Sequence, residues 1–202
     1  AEQFALIRAR PFGLLVTNGP GGLMANPVPF QLDEKAGVLR AHLARANPQW
    51  READGAREAL VVFQDVDAYV TPGWYATKRE THKVVPTWNY SAVHVYGALR
   101  AIDDREWLRG LVGELTDHHE GPRSAPWKVE DAPSDYIDVM LRGIVGIEVE
   151  IARMEGKAKL SQNRNESDRA GVIAGLRQDG SETELRMAAQ VEAAQTESAI
   201  KS

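Results

Sequence analysis

The order of strand patterns and helix patterns is the feature that most limits the fold of this chain. Apolar runs or alternating apolar residues, which are typical of strands, recur at residues 12–17, 23–30, 37–43, 59–64, 93–101 and 143–151. Helix patterns do not follow these strands one by one, as they would in a doubly wound parallel sheet. Six or seven strands with peripheral helices therefore predict a mainly β fold, built as a small barrel.

Three of these strands have distinct expected environments. The turn Asn-Gly-Pro-Gly-Gly at 18–22 predicts a hairpin. Its second strand is expected at an edge or a kink, because Pro27 and Pro29 donate no ladder hydrogen bond. The continuous apolar run 59–64 predicts a strand buried on both faces. In the strand expected at 93–101, alternation predicts one face made of Val93, Val95, Gly97, Leu99 and Ala101.

Five helices are expected from capping residues and apolar faces. Asn47 with Pro48 predicts a helix that ends near Glu58, and Asp103 with Glu106 predicts a capping box. The helix after that box has an apolar face of Trp107, Leu108, Leu111, Val112 and Leu115. The other three helices are expected from Ser134 to Arg142, from Ser167 or Asp168 to about Gln178, and from about Glu182 to Thr196.

The chain changes in character after Met154. Residues 156–164, Gly-Lys-Ala-Lys-Leu-Ser-Gln-Asn-Arg, are polar and basic and predict a loop. The expected organisation is a barrel at residues 1–155, followed at 156–202 by this loop and C-terminal helices. These helices are expected to pack on the barrel or on a partner subunit.

Composition limits the classes of function. The 202 residues include no cysteine, which excludes disulfides, thiolate nucleophiles, iron–sulfur clusters and cysteine zinc sites. The net charge of −5 argues against a basic surface for nucleic acid. No apolar run approaches the roughly 18 residues of a membrane span. Residues 1–4 lack a secretory-signal pattern, so we expect a cytoplasmic protein.

Two aromatic segments stand beside prolines that interrupt strand pairing. They are Tyr-Val-Thr-Pro-Gly-Trp-Tyr at 69–75 and Val-Pro-Thr-Trp-Asn-Tyr at 85–90, with five of the chain's fourteen Phe, Trp and Tyr residues. Aromatic faces mixed with hydrogen-bonding groups suit a flat heteroaromatic ligand. The same composition suits a corner of the core that Trp and Tyr hold in place, and both interpretations stay open.

Two polar segments are candidates for binding an anion. His42 ends a strand, and Arg45 and Asn47 follow at an expected helix start, where free N–H groups favour an anion. The densest run of donors suits a phosphate and comprises Lys157, Lys159, Ser161, Gln162, Asn163 and Arg164. An ordinary capped helix and a solvated loop explain the same two patterns without any ligand.

Other catalytic patterns are weak or missing from the sequence. His118, His119 and Glu120 are metal-ligand types, but adjacent helical residues point about 100° apart and cannot easily share one ion. The sequence contains no Gly-x-Ser-x-Gly elbow, no P-loop and no Gly-x-Gly-x-x-Gly motif. We therefore expect neither a metal site nor nucleophilic catalysis.

The last two expected helices resemble a helix-turn-helix in outline. The second helix would have to enter the DNA groove, yet it has Glu182, Glu184 and Glu192 against Arg186. Repulsion from phosphate makes this a poor recognition helix. Packing on a partner or on another subunit is therefore the favoured role.

Taken together, these segments resemble the PaiB family of FMN-binding split barrels, relatives of pyridoxamine-phosphate oxidase whose members are often called negative transcriptional regulators. The resemblance covers about residues 4–176 and rests on five motifs in the same order. They are Phe-Gly-Leu-Leu-Val-Thr at 12–17, His-Leu-Ala-Arg-Ala-Asn-Pro at 42–48, the two aromatic segments, and Lys-Leu-Ser-Gln-Asn at 159–163. It implies a bacterial homodimer of split barrels with FMN at the subunit interface.

The resemblance also implies where the candidate residues lie in an FMN site. The residues that it implies lie along the cofactor are Asn26, Pro27, Val28, His42, Ala44, Arg45 and Asn47, with Arg45 as the phosphate candidate. The residues that it implies line the isoalloxazine ring and its open side are Thr71, Trp74, Tyr75, Thr87, Trp88 and Asn89. The site would be closed by Lys159, Ser161, Gln162 and Asn163.

Three functions are compatible with such a site. The leading hypothesis is an FMN-binding regulator of transcription that acts indirectly, because the charge of the chain makes direct DNA binding doubtful. The second is an FMN-dependent oxidoreductase acting on a small molecule, in which the cofactor supplies the redox chemistry. The third is a flavin or tetrapyrrole carrier without turnover.

Overall fold

A computed structural model describes residues 2–200, and it describes their side chains except at 54 and 195–200. The strands are β1 Phe12–Gly19, β2 Gly22–Pro29, β3 Gln31–Asp33, β4 Val38–Ala44, β5 Asp54–Val70, β6 Thr87–Ile102, β7 Ile144–Glu150 and β8 Arg153–Lys159. The α-helices are α1 Glu2–Ala9, α2 Thr77–Thr81, α3 Arg105–Glu120, α4 Ser134–Arg142, α5 Glu166–Asp179 and α6 Glu182–Ile200. Short 3₁₀ helices lie at Pro48–Glu52, Pro72–Trp74 and Val129–Asp131. Within the described chain, every helix is too short or too polar to cross a membrane.

The eight strands form one antiparallel sheet in the order β2-β1-β5-β6-β7-β4-β3, and β8 pairs with β6. The sheet does not close, so the predicted barrel is a split one. Helices account for 40% of the residues and strands for 38%, which makes the helical share larger than a mainly β fold implies. The prolines of β2 lie in an edge strand, as predicted, where a missing N–H costs no ladder hydrogen bond.

The chain forms two compact units. The first contains the chain up to residue 63 together with 93–155, and the second contains 64–92 together with the chain from 156 onward. Both aromatic segments belong to the second unit, with the C-terminal helices.

The first unit has its core between strands. Its largest buried side chains include Ile7, Leu15, Phe30, Leu39, Phe63, Leu99 and Ile147. The rings of Phe30 and Phe63 meet edge to face with centroids 5.8 Å apart. Gly97 is required in β6, because a Cβ there would stand 1.7 Å from the carbonyl oxygen of Glu150. A smaller apolar cluster, Leu108, Val129, Ile137 and Leu141, joins α3 to α4.

The second unit has a separate core. It contains Ala68, Val70, Tyr75, Val172, Ile173, Leu176, Met187, Ala188 and Val191. Trp74 packs directly on α5, because a Cβ at Gly175 would lie 2.3 Å from the indole ring and a Cβ at Gly171 would lie 2.0 Å from the Trp74 carbonyl oxygen. These two glycines therefore set the distance between the aromatic segment 69–75 and α5.

Several expected boundaries are wrong. The helix expected after Asn47 is only the 3₁₀ helix Pro48–Glu52, because Ala53 leaves helical geometry and β5 begins at the next residue. The run 59–64 alternates between fully and partly buried residues, so one face of β5 is covered less than predicted. The loop expected at 156–164 begins as part of the exposed strand β8. Ala101 was expected on one face with Val93 and Leu99, but it is exposed whereas those two residues are buried.

The helices expected later in the chain exist, but their caps differ. Asp104, not Asp103, caps α3 by accepting a hydrogen bond from the Trp107 amide at 2.7 Å. Asn165, not Ser167 or Asp168, caps α5, accepting from the Asp168 amide at 2.8 Å. Pro133 precedes α4 where Ser134 was expected as the cap. In each case a neighbouring residue occupies the cap, a one-to-three-residue error to which sequence patterns are prone.

Candidate functional site

The second unit brings the two aromatic segments together at an exposed aromatic pair. Tyr69 ends β5 and Trp88 begins β6, and their rings meet edge to face with centroids 5.8 Å apart. Both side chains are large and about half exposed, at 47% and 53%. Exposed aromatic faces of this size are available for stacking on a planar ligand.

Polar side chains of the segment 159–163 meet the start of β6 at Thr87 and Asn89, the residues before and after Trp88. The Lys159 ammonium donates a hydrogen bond to the Thr87 hydroxyl. Asn89 and Ser161 are buried and exchange hydrogen bonds of 3.0 and 3.2 Å. Ser161 has a left-handed φ of 59°, which is uncommon for a serine and is held here by that pair. The predicted grouping of these four residues is therefore present in the structure.

Gln162 maintains the turn instead of pointing its amide at a ligand. Its Oε1 accepts from the Leu160 amide at 2.6 Å, and its Nε2 donates to the Ala158 carbonyl at 2.6 Å. Asn163 lies exposed in the same turn. The turn therefore supplies Lys159 and Asn163 to the surface, while Gln162 and Ser161 hold its shape.

Within the segment 69–75, Val70 and Tyr75 belong to the core, and Trp74 packs against it. Thr71 caps the 3₁₀ helix by accepting from the Gly73 amide at 3.2 Å, and Tyr75 is almost fully buried. The Tyr75 hydroxyl has no hydrogen-bond partner among the described residues. The Arg164 guanidinium lies 4.5 Å from the centroid of the same ring. The core interpretation of the aromatic segments thus applies to Tyr75, while Tyr69 and Trp88 remain candidates for the ligand interpretation.

Arg164 and Asp168 were not among the residues assigned to the site from sequence. Arg164 belongs to the basic run, so its charge was a usable signal, but its position over Tyr75 was not. Asp168 is buried and accepts two hydrogen bonds of 2.9 Å, from the Thr77 amide and the Thr77 hydroxyl. It thereby fixes α2 to the start of α5, and no sequence pattern indicates that contact.

Two FMN-site candidates in the first unit, Asn26 and Asn47, form hydrogen bonds with a buried glutamine. Gln49 is fully buried, and its amide nitrogen donates to the Leu15 carbonyl at 3.1 Å and to the Thr17 hydroxyl and Met24 carbonyl at 3.3 Å. Its Oε1 accepts from Asn26 at 2.8 Å, and its backbone amide donates to Asn47 at 2.9 Å. Asn26 and Asn47 are therefore occupied within the protein.

Arg45 is occupied as well. Its guanidinium forms a two-pronged pair with Asp103, at 3.0 and 2.6 Å, and donates to the carbonyls of Arg142 at 2.8 Å and Ile144 at 2.9 Å. The hydrogen bond from Arg45 holds the pKa of Asp103 below its usual value. The geometry gives Arg45 the task of fixing the end of β4 to the start of β7, and it does not favour a phosphate contact.

The other first-unit candidates differ in environment. Val28 is a core residue, while Pro27 and Ala44 are exposed on their strands. His42 is half-buried in β4, and burial lowers its pKa below 6.5. Its Nδ1 has no hydrogen-bond partner among the described residues.

The described residues contain no group of three or more His, Asp or Glu side chains that could hold a metal ion. Two arginines of the last two helices are paired with acids of the second unit. Arg186 donates to Asp65 at 3.1 Å, and Arg177 donates to Glu192 at 2.8 Å. The Gln190 amide also donates to Asp65 at 2.6 Å and accepts from Ser91 at 2.9 Å. The last helix thus packs within its own chain.

Comparison with solved structures defines the fold as a split barrel. The FAD and heme binding protein from Mycobacterium smegmatis superposes with a TM-score of 0.56 at 17% identity, covering 76% of this chain and 68% of that one. The flavocytochrome Anf3 from Azotobacter vinelandii superposes with a TM-score of 0.52 at 16% identity, covering 83% and 71%. At such identities the similarity establishes the fold alone.

Sequence comparison then establishes the family. The family model described as "Putative FMN-binding domain" matches residues 1–153. Protease synthase and sporulation protein PAI 2 of Bacillus subtilis is 32% identical, over 95% of this chain and 90% of that protein. The chain therefore belongs to the PaiB family of FMN-binding split barrels, and FMN is its cofactor. An uncharacterized protein of Aspergillus fumigatus is 36% identical over 94% of this chain and 90% of its own length, so membership does not imply a bacterial source.

Proposed function

We propose that this protein is an FMN-binding homodimer that acts as a PaiB-type negative regulator of transcription without touching DNA itself. The observation that carries the FMN site is the exposed pair of Tyr69 and Trp88, with Lys159 bonded to Thr87 at the preceding position of β6. The name of the Bacillus relative, which refers to protease synthesis and sporulation, supports a regulatory role.

The donor set of the second unit fits FMN. Trp88 and Tyr69 offer half-exposed aromatic faces for the isoalloxazine ring, and the buried Tyr75 hydroxyl is a polar group still without a partner among the described residues. Lys159 and Arg164 supply positive charge for the phosphate. An apolar face with a few fixed polar groups and a cationic end is the chemistry that a flavin phosphate needs.

We assign the site residues two kinds of task. Direct contacts with FMN are proposed for Thr87, Trp88, Lys159 and Asn163, together with Tyr69. Support of the site is proposed for Thr71, Trp74, Tyr75, Asn89, Ser161 and Gln162, which are buried or bonded to backbone. FMN supplies the electron-transfer chemistry when bound. The chain orients it, and the Thr87 hydroxyl holds the Lys159 ammonium in place.

The test of FMN placement is a reconstitution experiment. Purified protein is incubated with FMN, desalted, and examined for flavin absorption and for quenching of flavin fluorescence. We expect one FMN retained per chain, with quenched fluorescence, because stacking on Trp88 or Tyr69 quenches a flavin. Retention without any change of fluorescence would contradict an aromatic contact, and loss of all flavin on desalting would contradict the site.

Homodimerisation is supported by an apolar sheet face in the first unit. Cross-strand pairs such as Leu14 with Pro27 and Phe12 with Pro29 place both members on one face of β1 and β2. Phe12 is 65% exposed and Leu14 is 40% exposed. Exposed apolar residues on one sheet face are typical of interaction surfaces, and we propose a second copy of this chain as the occupant of this face.

The dimer is tested by light scattering after gel filtration. Leu14→Lys places a charge on the apolar face and is expected to shift the molecular mass toward that of one chain, 22.3 kDa. Val139→Lys is the matched control, because Val139 is similarly exposed but lies on α4. A native mass of one chain, or a dimer that tolerates Leu14→Lys, would overturn this part of the proposal.

The indirect mode of regulation rests on the last helix. Its first turn is acidic, with Glu182 and Glu184, and its arginine is paired with Asp65. Phosphate repulsion therefore disfavours DNA contact through α6. We expect no gel shift of promoter DNA even at low salt, where such contacts are strongest. A salt-dependent shift that disappears in Arg186→Ala would contradict this mode.

A further inference from the structure

The first unit contains a cleft that lies outside the proposed FMN residues, all of which belong to the second unit. Its volume is about 340 Å³, near the lower end of the range of small-molecule sites. The lining of the cleft includes His42, Val112, Leu115, Thr116, Glu120 and Trp127. A cleft of this size suits a molecule of one or two rings.

The cleft arises from the way α3 packs beside β4. His42 pairs with Gly146 across the β4–β7 ladder, so both residues project toward the same face. A Cβ at Gly146 would stand 2.3 Å from the Trp107 ring, so the glycine allows the start of α3 to lie close against the sheet. Further along α3, the smaller Val112 and Thr116 face the strands, and they leave the space open.

Trp127 forms an aromatic wall of the cleft, and its backbone is held by a hydrogen bond. The Glu120 carboxylate accepts a hydrogen bond from the Trp127 backbone amide at 3.1 Å. The other oxygen of Glu120 pairs with the Arg123 guanidinium at 3.0 Å. The negative charge of Glu120 is therefore compensated by Arg123, and the cleft has no need of a cationic ligand.

His42 supplies the polar group of the cleft. Its imidazole is half-buried, and its Nδ1 has no hydrogen-bond partner among the described residues. An unpartnered buried polar atom is rare in native structures and commonly marks a place for a missing partner. Burial lowers the pKa of His42, so the ring is neutral at physiological pH and can accept or donate one hydrogen bond.

We propose that this cleft binds an uncharged planar aromatic molecule of one or two rings with a hydrogen-bonding edge. The ring stacks on Trp127 and packs against Val112 and Leu115, while the polar edge bonds to the His42 imidazole. The site is distinct from the flavin site and adds a small-molecule ligand to a protein whose proposed function is regulatory.

The test uses benzimidazole, which has two fused rings, one donor and one acceptor, and is uncharged at pH 8. Its binding to the FMN-loaded protein is followed by saturation-transfer NMR and by isothermal titration. We expect saturable binding that Val112→Trp weakens by about tenfold or more, because the indole fills the cleft. The matched control is Val139→Trp on the exposed face of α4, which leaves binding unchanged.

Two further measurements keep the test decisive. If Val112→Trp does not fold, as judged by circular dichroism and FMN retention, Thr116→Trp replaces it. His42→Phe keeps an aromatic ring and removes the hydrogen bond, and is expected to weaken benzimidazole more than it weakens naphthalene. Three results would each overturn the proposal. They are benzimidazole binding that survives Val112→Trp or its replacement, equal losses of affinity for benzimidazole and naphthalene in His42→Phe, and competition by FMN.

Discussion

The segment around Gln49 in the first unit and the aromatic cluster of the second unit contain similar polar side chains, and the sequence assigned both to one cofactor site. In the first, the donors and acceptors of Gln49, Asn26 and Asn47 bond to one another and to backbone. In the second, two large aromatics remain half exposed and a buried hydroxyl has no partner among the described residues. Similar residue types thus serve the fold in one place and are available to a ligand in the other.

The difference teaches that hydrogen-bond occupancy, and not residue type, separates a supporting motif from a binding motif. Arg45 is the clearest example, since a guanidinium suited to phosphate instead joins a carboxylate and two carbonyls. Among the described residues, the Lys159 ammonium bonds to the hydroxyl of Thr87, and an ammonium with one partner retains donors for an anion. Four predictions test this contrast.

Gln49→Leu should have the largest effect and should be confined to stability. The substitution leaves the Asn26 amide and the carbonyls of Leu15 and Met24 without their buried partner, at a cost of about 3 kcal/mol. Urea denaturation measures the free energy of unfolding, with Gln178→Leu on the exposed side of α5 as the control. A loss below about 1 kcal/mol would mean that the network is not what holds this segment.

Lys159→Met and Arg45→Met should separate binding from support. Loss of a charged hydrogen bond to phosphate should weaken FMN affinity in Lys159→Met by about 1.5–3 kcal/mol. Arg45→Met should leave FMN affinity unchanged and lower the melting temperature, because it breaks the link between β4 and β7. Fluorescence titration with FMN and a thermal melt of both variants make the comparison. The reverse pattern would move the phosphate to the first unit.

Trp88→Ala should weaken FMN affinity by about 1 kcal/mol with little change in stability. The indole is half exposed, so its removal takes away a stacking face without opening a core cavity. Trp127→Ala is the matched control, because that indole is similarly exposed and lies in the first unit. Equal affinities for the two variants would show that the flavin does not stack on Trp88.

The apolar patterns predicted a small barrel with the proline-containing strand at an edge or a kink, since periodicity and turn chemistry are local properties. The split form of the barrel and the grouping of the segments 85–90 and 159–163 were implied by the family resemblance. The sequence did not predict that Trp74 and Tyr75 enter the core while Tyr69 and Trp88 remain outside. That choice depends on Gly171 and Gly175, which admit Trp74 to the face of α5. Nor did it place Asp103 opposite Arg45, because that pair joins residues 58 positions apart. Long-range pairing decides which polar groups are occupied, and local patterns do not contain it.

The smallest expected effect concerns how stability depends on pH. It involves His42, the first-unit site candidate whose Nδ1 has no hydrogen-bond partner among the described residues. Burial lowers the pKa of His42, so below about pH 6.5 the unfolded chain binds a proton more readily than the folded chain, and stability falls as the pH decreases. His42→Gln should therefore lose less stability between pH 8 and pH 5.5 than the native chain, and His119 and Glu120, which line the same cleft, are present in both proteins. Urea denaturation at the two pH values measures the difference. If the two proteins lose the same amount, then His42 is solvated like an ordinary surface histidine, and the contrast between occupied and available polar groups does not extend to β4.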